Sequence, residues 1–313
     1  MNYLFGPIDS RRLGRSLGID LLPFKTCSLD CVYCECGATT NHTTERREWV
    51  PTAEVLAELD AFLATGPVLD WVTFSGSGEP TLHDGIGTII RHLKKKYPQY
   101  KVAVLTNGTL LGDPAVADAL APADLVSPSL DSATLAGFQK ICRPVSGLDL
   151  PKVVEGIARF RSGFRGTLLL EVFVVPGIND TPEEVGALRQ ALLTIQPDAV
   201  QLNRLDRAGT EPSVGFASDQ TLATITKELA PLVVQAVRVR RVGEALSALP
   251  PGTDELVLSI LQKGPVTLER LSLMSGVREG DLAKLLQRLK RDKKIVDNEL
   301  NVWESSTSTI SRG

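Results

Sequence analysis

The chain has 313 residues, 43% of them hydrophobic, and a formal net charge of −3, which allows one large domain plus a small one. The acidic balance argues against a protein that coats nucleic acid with one broad basic surface and leaves room for a local basic patch. No apolar run approaches the roughly 20 residues of a membrane-spanning helix, and the start Met-Asn-Tyr-Leu-Phe-Gly lacks the features of a secretion signal, so the chain reads as cytoplasmic with no membrane partner.

Residues 1–16 read as a basic loop, with Arg11, Arg12 and Arg15 beside Gly14. Guanidinium groups there match a phosphate or carboxylate, or simply line a solvated turn. Gly18 to Leu22 reads as a short strand that Pro23 ends. Then comes Cys27-Ser28-Leu29-Asp30-Cys31-Val32-Tyr33-Cys34, three thiols in eight residues of a chain with five cysteines. Each thiolate can take a different iron of a cubane cluster, which leaves one iron without a protein ligand. Ordinary electron-transfer clusters are closed by a fourth cysteine. An open iron is a place for a small molecule to bind. A zinc site competes, because Cys31 and Cys34 form a C-x-x-C and Cys36 is near, but zinc sites usually combine two such pairs and no second pair follows. The odd cysteine count speaks against a disulfide framework.

Thr39 to Arg47 reads as polar and mobile. Pro51 to Ala64 is helical, with Val55, Leu56, Leu59, Phe62 and Leu63 on one stripe. The strand Trp71 to Ser75 runs into Gly76-Ser77-Gly78-Glu79-Pro80, a turn whose glycines permit close backbone approach to a ligand. Strand and helix then alternate: helix Gly85 to Lys96, strand Val102 to Leu105, helix Asp113 to Leu120, strand Leu125 to Leu130, helix Leu150 to Phe160, strand Leu168 to Val175. A helix follows with Thr181 as N-cap, Pro182 in its first turn and Glu184 completing a capping box. Strand Ala199 to Leu202, helix Asp219 to Val234 and a last strand at Val237 to Val242 complete the series. Regular alternation with short connections implies an α/β fold, a partial (β/α)6 parallel barrel. Function in such barrels collects at the C-terminal strand ends, where Glu79, Asn107, Asp131, Asn179 and Asn203 fall. Glu171, a charge inside an apolar strand, is costly unless paired; it is expected to face the barrel interior toward a ligand, the alternative being a buried pair with an arginine. Arg143 follows Cys142 and suits an anionic group or a plain surface position.

Residues 246–252 read as a linker. From about Thr253 to Glu304 the pattern is three helices and a hairpin, which resembles a winged helix-turn-helix domain. Lys284, Arg288, Lys290, Arg291, Lys293 and Lys294 cluster on its third helix and wing, a candidate phosphate contact or a protein-docking face. Residues 305–313 read as a disordered tail. The expected layout is thus a barrel over 1–245, a linker, the small domain over 253–304, and the tail.

The pattern C-x-x-x-C-x-aromatic-C resembles the radical S-adenosylmethionine (radical SAM) enzymes. The stretch Phe5 to Gly37, FGPIDSRRLGRSLGIDLLPFKTCSLDCVYCECG, resembles the branch that includes wybutosine-type tRNA enzymes. The resemblance covers the barrel and implies a [4Fe–4S] cluster on Cys27, Cys31 and Cys34, with SAM on the open iron. It further implies Tyr33 near the adenine, Gly78 and Glu79 at the methionine amino group, and Ser129 and Asp131 at the ribose or carboxylate. Asn107 at the next strand end joins the expected SAM contacts, and backbone near Asn203 would reach the adenine. One electron, from a flavodoxin- or ferredoxin-type donor, would break a C–S bond of SAM and give a 5′-deoxyadenosyl radical. Only Cys36 and Cys142 remain, too few for the second cluster of the wybutosine enzymes. Three readings stay open: a radical SAM enzyme acting on RNA, tRNA among its candidates; one acting on a protein or small metabolite with the winged helix as docking module; and an iron–sulfur redox sensor that binds DNA.

Overall fold

The computed structural model describes residues 2–10, 13–34, 36–205, 210–211, 213–236, 253–262, 266–275, 277, 282, 285–286, 289–290, 294–297 and 302–305. Leu4–Ser10 (β1) and Gly14–Ile19 (β2) pair antiparallel, so the segment expected as a loop is a hairpin. Tertiary pairing overrides its glycines, proline and charges. Leu4 is fully buried, and Phe5 lies so close over its cross-strand partner Gly18 that a Cβ there would meet the ring at 2.0 Å. Arg11 and Arg12 lie outside the described residues, and the Arg15 amide donates to Asp70.

Thr26–Cys27 (β3) pairs in parallel with Asn41–His42 (β4). The Thr40 and Asn41 amides both donate to the Lys25 carbonyl at 3.1 Å, and the Thr43 amide donates to Cys27 at 3.0 Å. Backbone bonds therefore fix the segment expected to be mobile. β2 opens a parallel series through Trp71–Phe74 (β5), Lys101–Thr106 (β6), Leu125–Pro128 (β7), Thr167–Phe173 (β8), Ala199–Asn203 (β9) and Val234–Ala236 (β10). The sheet order is β1-β2-β5-β6-β7-β8-β9-β10. This is the expected parallel α/β architecture, with β10 a seventh parallel strand lying ahead of Val237 to Val242, which fall outside the described residues.

The crossovers are Thr52–Leu63 (α1), Ile86–Lys96 (α2), Pro114–Leu120 (α3), Leu135–Cys142 (α4), Leu150–Gly163 (α5), Pro182–Ile195 (α6) and Asp219–Glu228 (α7). α7 stops six residues short of Val234, because Val234 pairs with Val200 in the sheet. α4 has no counterpart among the expected helices; it is a short helix capped by Thr134, whose side chain accepts from the Gly137 amide. Thr181 caps α6 as expected, accepting from the Glu184 amide at 3.3 Å. The Glu184 side chain does not close a capping box; it accepts from Ser132 at 2.8 Å and from Thr134, tying α6 to the start of α4.

The main core fills the space between the sheet and its helices, with Phe74, Ile89, Ile90 and Leu170 fully buried. A second cluster, Leu13, Ala103 and Leu125 with Trp71, Leu105 and Leu169, plugs the concave side of the sheet. It closes the N-terminal end and leaves the C-terminal end open.

At the C-terminus, Thr253–Gln262 (α8), Val266–Thr267 (β11), Leu268–Ser275 (α9), Ile295–Asp297 (β12) and Val302–Ser305 (β13) gather around Leu256, Leu271, Leu285 and Leu286. Leu282 and Leu289, both buried and each in helical conformation, come between α9 and β12 in the chain. Phe5 and Ile8 of β1 pack against this cluster. Ser305, expected in the tail, ends β13, whereas residues 246–252 and 306–313 lie outside the described residues.

Candidate active site

The cysteine loop leaves β2 and crosses the open end of the sheet, where three elements hold it. The ends of β5 and β6 hold its start: the Glu79 amide donates to Thr26 at 3.1 Å, and Asn107 Nδ2 donates to Ser28 Oγ at 2.8 Å. Asn107 Nδ2 also stands 3.5 Å from Cys27 Sγ. The end of α4 holds its middle: the Asp30 amide donates to Cys142 and the Val32 amide to Ile141, each at 2.9 Å. Gly78 has to be glycine here, because a Cβ would sit 2.0 Å from the Thr26 carbonyl oxygen. Its tight packing brings β3 and the cysteines against the sheet end.

Beneath the loop is a cavity of about 290 Å³ whose wall includes Cys27, Cys31 and Cys34 together with Cys36, Cys142 and Lys25. Burial pushes the Cys27 thiol up to about 12, against the pull of Lys25. A hydrogen bond from Cys36 holds Cys34 low and Cys36 correspondingly high. Lys25, 3% exposed, was not singled out from the sequence; a lysine reads as solvated until the fold buries it.

Glu79 is buried, not poised at a mouth. Its Oε1 accepts from the Thr81 amide at 3.0 Å, the Thr81 hydroxyl at 2.5 Å and the Thr106 hydroxyl at 2.6 Å, and its Oε2 accepts from the Asn107 amide at 2.6 Å. Burial raises its pKa, and these four donors oppose the rise. With Oε1 filled, only Oε2 keeps capacity toward the cavity.

Tyr33 and Asp131 meet each other. The Tyr33 hydroxyl donates to Asp131 Oδ2 at 2.6 Å, and its ring stacks on Phe173 with centroids 3.8 Å apart and planes 3° from parallel. The Phe173 amide donates to Asp131 Oδ1 at 2.8 Å, and the Cys142 thiol approaches Oδ2 at 3.6 Å. Burial pushes Asp131 up to about 6, with the hydrogen bonds from Tyr33, Phe173 and Cys142 opposing. The pair expected at adenine and ribose is thus a clamp that fixes the aromatic residue of the cysteine loop.

Ser129 and Glu171 lie side by side in a parallel bridge and both line the cavity. Asn203, buried on β9, points Nδ2 toward Glu171 Oε1 at 3.5 Å. Asn179 is spent on backbone: its Nδ2 donates to the Asp131 and Phe173 carbonyls, both at 2.7 Å, and its Oδ1 accepts from Val175 at 2.7 Å. It staples the β8 loop and offers nothing to a ligand. Arg143 caps α4 in a left-handed conformation, pairs with Glu211 at 2.7 Å, and is not among the residues that line the cysteine cavity.

The residues fit an iron–sulfur cluster. Three thiols spread around one cavity suit a group that takes one ligand on each of three atoms. Among the described residues no three His, Cys, Asp or Glu side chains converge to hold a single ion, which disfavours a zinc site. The cavity wall also carries a buried cation, suited to an anionic group.

Comparison with known proteins agrees. The Radical SAM superfamily matches residues 21–189. A protein of Brachyspira hyodysenteriae named GTPase Obg is 32% identical over 95% of this chain, and the chain spans 44% of that protein's length. A UPF0026 protein of Methanocaldococcus jannaschii is 30% identical, with 91% of this chain and 93% of the relative covered. The fold is shared with TYW1, solved with a lysine-pyruvate adduct bound, at a TM-score of 0.51 and 15% identity over 68% of this chain and 72% of that one. The chain therefore belongs to the radical SAM superfamily, enzymes that use a [4Fe–4S] cluster and S-adenosylmethionine, and groups within it with the UPF0026 proteins.

Proposed function

We propose that this enzyme holds its cluster on Cys27, Cys31 and Cys34, cleaves SAM there, and modifies an RNA, with tRNA the first class to test. The observation that carries the SAM site is the convergence of those three thiols on a cavity at the C-terminal strand ends. When bound, the cluster would supply the single electron for reductive cleavage of a C–S bond of SAM. The chain's own residues hold and enclose. Asn107 and the end of α4 fix the loop, and the Asp131–Tyr33–Phe173 stack sets its aromatic face. Glu79 Oε2 is the acceptor left for the methionine amino group. Glu171 and Ser129 on the inner wall are the polar groups that face a substrate. The apolar plug beneath keeps water and stray hydrogen donors out.

Support for RNA comes from the C-terminal elements. Their order of helices and strands suits a winged helix, and Lys290 and Lys294 are exposed on it. Lys284, Arg288, Arg291 and Lys293 lie outside the described side chains. A flavodoxin- or ferredoxin-type protein would supply the electron. The test is 5′-deoxyadenosine formation by the reconstituted, reduced enzyme with and without bulk tRNA. Stimulation by tRNA is the expected result. Turnover indifferent to tRNA would move the substrate to a protein or small metabolite.

A further inference from the structure

Lys25 is a buried cation beside the cysteine loop, and the proposed SAM site gives its side chain no role. It is 3% exposed and shares the cavity wall with Cys27, Cys34 and Cys36. Its Nζ donates to Thr39 Oγ1 at 3.4 Å, a neutral and distant partner. Among the described residues no carboxylate forms an ion pair with it. An ammonium taken out of water is costly unless an opposite charge lies beside it. The groups beside it that can carry the matching negative charge are the thiols that share its wall, Cys27, Cys34 and Cys36.

We propose that Lys25 is the fixed counter-charge of the cluster site, a positioning residue that makes the bound cluster easier to reduce. The inference rests on the radical SAM reading of the cavity. Reduction adds one electron to the cluster, forms and breaks no bond, and makes the site more negative by one charge. A lysine ammonium in a low-dielectric wall stabilises that added charge. Thr39 orients the side chain, and β4, whose backbone bonds to Lys25, holds its main chain.

The experiment compares wild type, Lys25→Met and Lys25→Arg as full chains. Each is reconstituted and titrated with dithionite as the electron source while the reduced cluster is followed by electron paramagnetic resonance. Lys25→Met should shift the reduction equilibrium at least tenfold toward the oxidised form, about 59 mV more negative for one electron. Lys25→Arg should restore most of that shift. A Lys25→Met potential equal to wild type, or an arginine variant as displaced as methionine, would overturn the proposal. A wild-type chain that takes up no cluster would sink the radical SAM reading, whereas a loaded chain with an unmoved potential sinks only the role of Lys25.

Discussion

Asp131 shows what a single residue does for this site. Both its oxygens are occupied by groups of the protein, so it acts on the cysteine loop. Tyr33→Phe removes the donor at 2.6 Å and leaves a buried acceptor short of one bond. That should cost about 1–3 kcal/mol, seen as a lower midpoint in chemical denaturation. The titration has a definite sign. Burial raises Asp131 to about 6 from an ordinary value near 3.8, so the folded state binds this proton more tightly than the unfolded one. Its ionised form therefore lowers stability above about pH 6, and the chain regains that stability as pH falls from about 6 toward 4. Asp131→Asn, which cannot ionise, should lack this pH dependence when unfolding is compared between pH 4 and 7. The three-cysteine loop and the glycine-rich turn, which the fold brings to one cavity, were legible in the sequence because chemistry dictates their spacing. The Tyr33–Asp131 bond was not, since its partners are 98 positions apart, and Lys25 was not, because burial is a property of the fold.

At the scale of elements, α4 is the piece that sequence patterning missed and the site most needs. It has eight residues, too few turns for a clear apolar period, yet its last carbonyls grip the cysteine loop. Glu184 locks its start through Ser132 and Thr134. Glu184→Ala should cost about 1–3 kcal/mol, and hydrogen exchange should rise in α4 and the cysteine loop before it rises in the sheet. Uniform exchange across the barrel would show that the lock is not local. The parallel strands and longer helices were readable, since their apolar runs and stripes are long. The β1–β2 hairpin was not, because Gly6, Pro7 and the arginines mask a strand that forms only through its partner.

For the whole molecule, the barrel supplies a site with an apolar plug at one end and the cysteine loop across the other, open end, and the C-terminal elements pack against β1. If those elements carry RNA, phosphate neutralisation dominates and binding must weaken steeply with salt. Lys290→Ala with Lys294→Ala should weaken tRNA binding and reduce the salt slope by roughly one for each phosphate no longer neutralised. Unchanged affinity and slope would remove these lysines from the interface and favour a docking role. The barrel's chemistry does not depend on that outcome. Its central claim is that Cys27, Cys31 and Cys34 hold a cluster that cleaves SAM. The most direct test is 5′-deoxyadenosine production by the anaerobically reconstituted, dithionite-reduced chain beside its Cys31→Ala variant. The account predicts the nucleoside from wild type and none from the variant. Equal production by both, or none from a wild-type chain carrying a full cluster and tested with its substrate class, would contradict it.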